Sequence, residues 1–203
     1  MKPSVRTALL VFAMGFTVPV AAHTEVFTAT LSGPAEFPVN ASPGTGSARV
    51  TIDFDALTMR VQASFSGLTG TTTAAHIHCC VPPLPANPVA GVATTTPSFP
   101  GFPLGVTSGV FDNTFDLTAT TTYNGSFLNN VQNGGSVAVA MNTLAAAFRA
   151  GDQAYFNIHT STFGGGEIRG FLAPIPEPET YALMLAGLSL VGWAASRRRK
   201  MTV

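Results

Sequence analysis

Residues 47–66, SARVTIDFDALTMRVQASFS, decide the fold class. Ala48, Val50, Ile52 and Phe54 alternate with Arg49, Thr51 and Asp53. Met59, Val61, Ala63 and Phe65 then alternate with Arg60, Gln62 and Ser64. A period of two sends one side-chain set to a core and the other to water, which is the signature of a half-buried strand. Asp55-Ala56-Leu57-Thr58, between the two runs, is hairpin-sized. Working outward, Val26–Leu31 reads as an earlier strand, joined to the hairpin by the turn-rich Asn40–Ser47. Further strands are expected at Thr73–Cys79, Gly109–Leu117, Ser136–Asn142, Ala154–Thr160 and Glu167–Leu172. Leu144–Arg149 reads as a single helical turn, and Gly151-Asp152 and Gly164-Gly165-Gly166 as turns. Val81–Leu104 is rich in proline, which removes ladder donors, so it reads as a long, fairly rigid loop. Short, regularly spaced strands without long helices predict an all-β domain, an antiparallel sandwich or a Greek-key-like barrel.

The 203 residues suffice for one ordinary domain once the two ends are set aside. Residues 1–22 read as a secretory signal peptide: Lys2 and Arg6, an apolar run over Ala8–Val18, then Val20-Ala21-Ala22 before a cut. The domain is then 23–173, and 174–203 forms a tail. In the tail, Pro174–Thr180 is extended and turn-like, 181–196 is apolar, and Arg197–Lys200 is basic. About 16 residues of helix reach roughly 24 Å, enough for one short transmembrane helix when arginines snorkel and the bilayer thins. The basic end stays in the cytoplasm. The formal net charge of +0 hides an uneven distribution. Between residues 23 and 175 four arginines face eight carboxylates, a net charge of about −4 with no lysine. An acidic body with no basic stripe excludes a nucleic-acid-binding role.

Three of the four histidines lie in Ala75-His76-Ile77-His78-Cys79-Cys80 and Asn157-Ile158-His159-Thr160. On a strand, His76 and His78 share one face, and so do Asn157 and His159. If these strands are neighbours, three imidazoles converge, a donor set that suits copper or zinc. The competing reading is a hydrogen-bonded cluster in which His76, His78, Asn157, His159, Glu167 and Arg169 satisfy one another and pin the register. His23, exposed as a first residue by signal-peptide cleavage, offers a separate copper chelate through its amine and ring. Cys79-Cys80 allows a vicinal disulfide, pairing with another chain, or metal ligation with the flanking histidines. A Cys–His nucleophile is the least favoured reading, since no oxyanion site accompanies it. Phe99, Phe102 and Tyr123, if exposed, offer rings for sugars; otherwise they pack the core. No complete catalytic set is present, and no catalytic residue is assigned.

Two resemblances cover most of the chain. Pro176-Glu177-Pro178, followed by an apolar span and a basic end, resembles a PEP-CTERM sorting signal. That resemblance implies a Gram-negative bacterium, export through signal peptidase and transient anchoring in the inner membrane. It further implies cleavage by exosortase near Pro176–Thr180, then release or attachment at the cell surface, in association with exopolysaccharide and biofilm matrix. The body resembles the CHRD domain, named from chordin. The matching pieces are Phe27–Gly33 with Glu36 and Pro38, Gly44-Thr45-Gly46, Ala75–His78, Tyr155–Thr160 and Gly166–Gly170. This implies a β fold and an extracellular role. Where the family tends toward small, glycine-rich residues after the histidine pair, this chain has Cys79-Cys80. The expectation is a non-enzymatic surface or matrix protein, with an extracellular copper- or zinc-binding protein as the alternative.

Overall fold

The computed structural model describes residues 23–82, 88–175 and 185–191. Eight strands form one curled antiparallel sheet. They are β1 (Thr24–Ser32), β2 (Thr45–Asp53), β3 (Thr58–Ser66), β4 (Thr72–Cys79), β5 (Gly109–Asp116), β6 (Ala154–Thr160), β7 (Ile168–Phe171) and β8 (Ala173–Pro174). The order across the sheet is β4-β6-β7-β1-β2-β3-β5, and β8 pairs with β1 beside β7. The opening hairpin holds in strict register, from Thr45 opposite Ser66 to Asp53 opposite Thr58. Its apolar set, Ala48, Val50, Ile52, Met59, Val61, Ala63 and Phe65, is buried, as alternation requires.

Of the two expected architectures the single sheet is nearer to the barrel than to the two-sheet sandwich: it curls into a half-barrel. Its core is built from strand side chains, the proline-rich loop and two helices. Phe99 of that loop is 2% exposed and packs 5.1 Å from Phe115 and 6.0 Å from Phe156, ring centre to ring centre. Phe102 and Tyr123 are buried as well, so none of the three rings is a platform for sugars.

The helix is the main correction. Ser136–Asn142, expected as a strand, opens α2 (Val137–Ala150), which also absorbs the helical turn expected at Leu144–Arg149. Ser136 accepts a hydrogen bond from the Val139 amide at the N-cap, and Gly151 closes the helix with φ +79°, a left-handed conformation that suits glycine. Ala140, Leu144, Ala145, Ala147 and Phe148 are buried at helical spacing, with Phe148 set 5.1 Å from Phe27. A shorter helix, α1 (Gly125–Leu128), precedes it.

The loop after β4 does more than span a gap. β4 is an edge strand, and residues 91–99 run along it. The amide of Ala93 bonds the Ile77 carbonyl at 2.8 Å, and that of Phe99 bonds the Ala75 carbonyl at 2.9 Å. Thr94 and Ser98 hydroxyls take the amides of Ile77 and Ala75 at 2.9 and 3.0 Å. The open edge is thereby covered without a regular strand.

Among the described residues no helix is long and apolar enough to cross a membrane. Residues 185–191 are helical, with Leu185, Leu188, Leu190 and Val191 exposed. The remainder of the expected span at 181–196, the leader at 1–22, the sorting motif at 176–180 and the basic end at 197–200 lie outside the described residues.

Candidate metal site

β4 and β6 are direct neighbours, with Ala74 opposite His159, His76 opposite Asn157 and His78 opposite Tyr155. β7 continues the rows, with Arg169 beside Asn157 and Phe171 beside Tyr155. Ala75, Ile77, Phe156 and Ile158 turn into the core. On the opposite face, one nitrogen from each of His76, His78 and His159 lies within 4.8 Å of the other two.

The orientation of the rings is set by backbone. His76 Nδ1 lies 3.0 Å from the Pro97 carbonyl oxygen, His78 Nδ1 2.8 Å from that of Ala90, and His159 Nδ1 2.9 Å from that of Gly164. A carbonyl oxygen only accepts, so each Nδ1 carries the hydrogen and donates it. Each Nε2 is then a bare lone pair. His76 Nε2 and His159 Nε2 face each other at 2.9 Å, and His78 Nε2 is buried with no partner. Burial, joined by the neighbouring His159 and His78, pushes the His76 ring down to about 4. Burial likewise brings His78 to about 4 and lowers His159. Neutral rings with inward lone pairs have no proton to share among them.

His78 is wedged in place from one side. Tyr155 stacks on it with centroids 4.7 Å apart and planes 8° apart, and the Arg169 guanidinium lies 4.6 Å from the centre of the Tyr155 ring. The Ala90 carbonyl is the acceptor for both His78 Nδ1 and the Tyr155 hydroxyl.

The expected polar cluster does not include the carboxylate it was given. Glu167 lies in its own buried nest. Its Oε1 accepts from the Ser42 hydroxyl at 2.6 Å and the Thr69 amide; its Oε2 accepts from the Thr160 hydroxyl at 2.6 Å and the Gly70 amide at 3.1 Å. Burial opposes its charge, but those two hydroxyls and two amides outweigh it and hold the carboxyl below its usual range. Arg169 faces Glu36 instead, with Nε 3.8 Å from Oε2, and donates to the carbonyls of Ala35 and Pro88 at 2.6 and 3.1 Å.

Glu36 is the site residue that chemical reasoning on the sequence left unused. Its carboxyl is 4% exposed, and burial raises it to about 7 against the opposing pull of Arg169 and the Phe37 amide. Glu36 Oε1 and Asn157 Oδ1 are both buried without a partner, and both lie within 2.7 Å of the point where a Cβ on Gly166 would sit. With φ +129° as well, position 166 admits only glycine. Because the folded value lies above the ordinary 4.5, the folded state holds the extra proton between pH 4.5 and about 7. The contribution of Glu36 to stability is therefore expected to fall as pH rises through that window, by about 3 kcal/mol at most, while the lowered histidines contribute in the opposite direction. Urea titrations of the parent and of Glu36→Gln at pH 5 and 7.5 isolate it: the stability of the parent relative to the variant should drop toward pH 7.5. A difference between the two that does not change with pH would contradict the assignment.

A disulfide joins Cys79 and Cys80. Cys79 turns into the core, away from His78, and neither sulfur joins the three rings. His23 is separate too: its backbone nitrogen donates to Asp55 at 2.9 Å, and its ring lies 5.0 Å from that of Phe54.

Comparison with known proteins gives two matches. The PEP-CTERM protein-sorting motif matches residues 174–200, a tail that marks an exported protein of a Gram-negative bacterium, processed by exosortase and anchored transiently in the membrane. No curated protein and no solved structure matches. The CHRD domain model matches residues 27–172, which takes in every strand residue and loop carbonyl of the histidine site, and the chain belongs to the CHRD domain family.

Proposed function

We propose that this exported CHRD protein binds one transition-metal ion, copper or zinc, through His76, His78 and His159. The role is one of binding rather than catalysis, exercised at the cell surface or in the secreted matrix. The observation that supports this reading is the triple use of Nδ1: three backbone carbonyls take the three ring N–H groups and leave three Nε2 lone pairs inward. Outer partners of this kind orient imidazole ligands in metal sites and fix their tautomer. A hydrogen-bonded cluster gives no role to the unpartnered His78 Nε2 or to two acceptors face to face at 2.9 Å. A non-catalytic role is consistent with the carboxylates' positions, since Glu36 and Glu167 are engaged away from the rings.

Signal peptidase, exosortase and the inner membrane are the partners proposed for export, and exopolysaccharide the partner at the surface; the last rests on the tail alone. Elemental analysis of untagged protein should find about one equivalent of copper or zinc, lost on His76→Ala. No stoichiometric metal, with melting indifferent to chelator, would remove the metal reading. Mass spectrometry of exported material should find Trp193 gone. Its retention would remove exosortase processing and leave the metal site untouched.

A further inference from the structure

We infer that the ion is copper(II), held in a square-based arrangement with the position opposite His76 left for an outside ligand, water or a small anion. This rests on the three-imidazole reading above and goes further in naming the metal, its geometry and its fourth partner. Metal–imidazole bonds are about 2.0–2.1 Å long. Two such bonds whose nitrogens are 2.9 Å apart, as His76 Nε2 and His159 Nε2 are, meet at about 90°. A tetrahedral ion needs nitrogens about 3.3–3.4 Å apart at the same bond length. The ring centres repeat the pattern. His76 lies 4.7 Å from His78 and 4.7 Å from His159, whereas His78 and His159 are 5.9 Å apart. His76 is thus the middle ligand, near a right angle to both others, and the outer two form the wide pair.

Two near-right angles and one wide angle are three corners of a square. Copper(II) favours square-based sites of nitrogen and oxygen donors and binds them most tightly among the divalent first-row ions. Zinc carries no such preference and is almost always tetrahedral. Since all three donors are neutral, a divalent ion keeps its full charge, and an anion is the favoured occupant of the fourth corner. Room exists beside His159, which is the least covered of the three rings.

The test uses the full-length chain in detergent, loaded in turn with copper(II), cobalt(II) and zinc(II). Copper should give an axial electron paramagnetic resonance spectrum with splitting from three nitrogens, and azide should shift it. Cobalt(II) should absorb only weakly in the visible. His159→Ala should lose one nitrogen splitting, and His159→Gln serves if that variant misfolds. His23→Ala should leave the spectrum unchanged. Intense tetrahedral cobalt bands, or a rhombic copper spectrum with collapsed parallel splitting, would overturn the square geometry while leaving metal binding intact. A copper spectrum lost with His23→Ala would overturn copper at this site. No stoichiometric uptake of any of the three ions would overturn both.

Discussion

Metal at a free concentration a thousand times its dissociation constant is expected to stabilise the domain by about 4 kcal/mol, or about 10 °C in melting temperature. The gain arises because the three rings converge only in the folded chain: His76 and His78 come from β4, and His159 comes from β6, more than 80 residues later in sequence. The unfolded chain offers no such set, so nearly all of the binding free energy appears as folding free energy. His76→Ala and His159→Ala should each weaken binding by more than the ~10–100-fold that the loss of an outer partner costs. In chelator, however, their melting temperatures should stay near that of the metal-free parent, because each variant removes one inward lone pair as well as one packed ring. Differential scanning calorimetry with and without metal separates the two effects. A chelator-insensitive parent would contradict the coupling.

Glu167→Ala is expected to be the most damaging substitution outside the hydrophobic core. The side chain is fully buried and its two oxygens take four donors, from Ser42, Thr69, Gly70 and Thr160. Truncation strands two amides and two hydroxyls away from water, and hydrogen bonds to a charged group are each worth about 1.5–3 kcal/mol, though not additively. A loss of about 3–5 kcal/mol follows, a large share of the 5–15 kcal/mol typical of a domain. Glu167→Gln keeps the size but presents an NH₂ group to one of the backbone amides, so it should not restore the parent value. Its pH dependence has the opposite sign to that of Glu36. The folded value lies below the ordinary 4.5, so the stabilisation is present above that value and is lost as pH falls below it. Thermal melts of Glu167→Ala within about 2 °C of the parent would contradict this account.

What could be read from the residues followed burial on one face. The 47–66 hairpin was legible because each strand has one dry side and one wet side. So was the shared face of His76, His78 and His159, because that rule needs only a period of two. Ser136–Asn142 misled for the same reason: Val137, Val139 and Met141 alternate with small residues. Yet Val139 is 41% exposed, and the buried positions fall at 140, 144, 145, 147 and 148. The N-cap serine and closing glycine were present in the sequence and favoured the helix. Glu167 was expected in one strand with Arg169, Glu167–Leu172, but β7 begins only at Ile168. The turn through Gly166 sends Glu167 to Ser42 and Thr160 instead. The carbonyls of Ala90, Pro97 and Gly164 had no signal to find, since every residue carries one. The proline-rich loop announced rigidity without saying which oxygens it would fix.

β1 runs antiparallel to both β7 and β8, with Ser32 opposite Arg169 at one end and Phe27 opposite Pro174 near the other. The chain leaves the sheet at Ile175, whose amide still bonds the Val26 carbonyl. His76 and Asn157 lie on the Arg169 row, at the Ser32 end. Six residues of strand, about 20 Å, separate that row from the exit at Val26. The histidine pole and the departure pole are therefore distinct ends of one sheet.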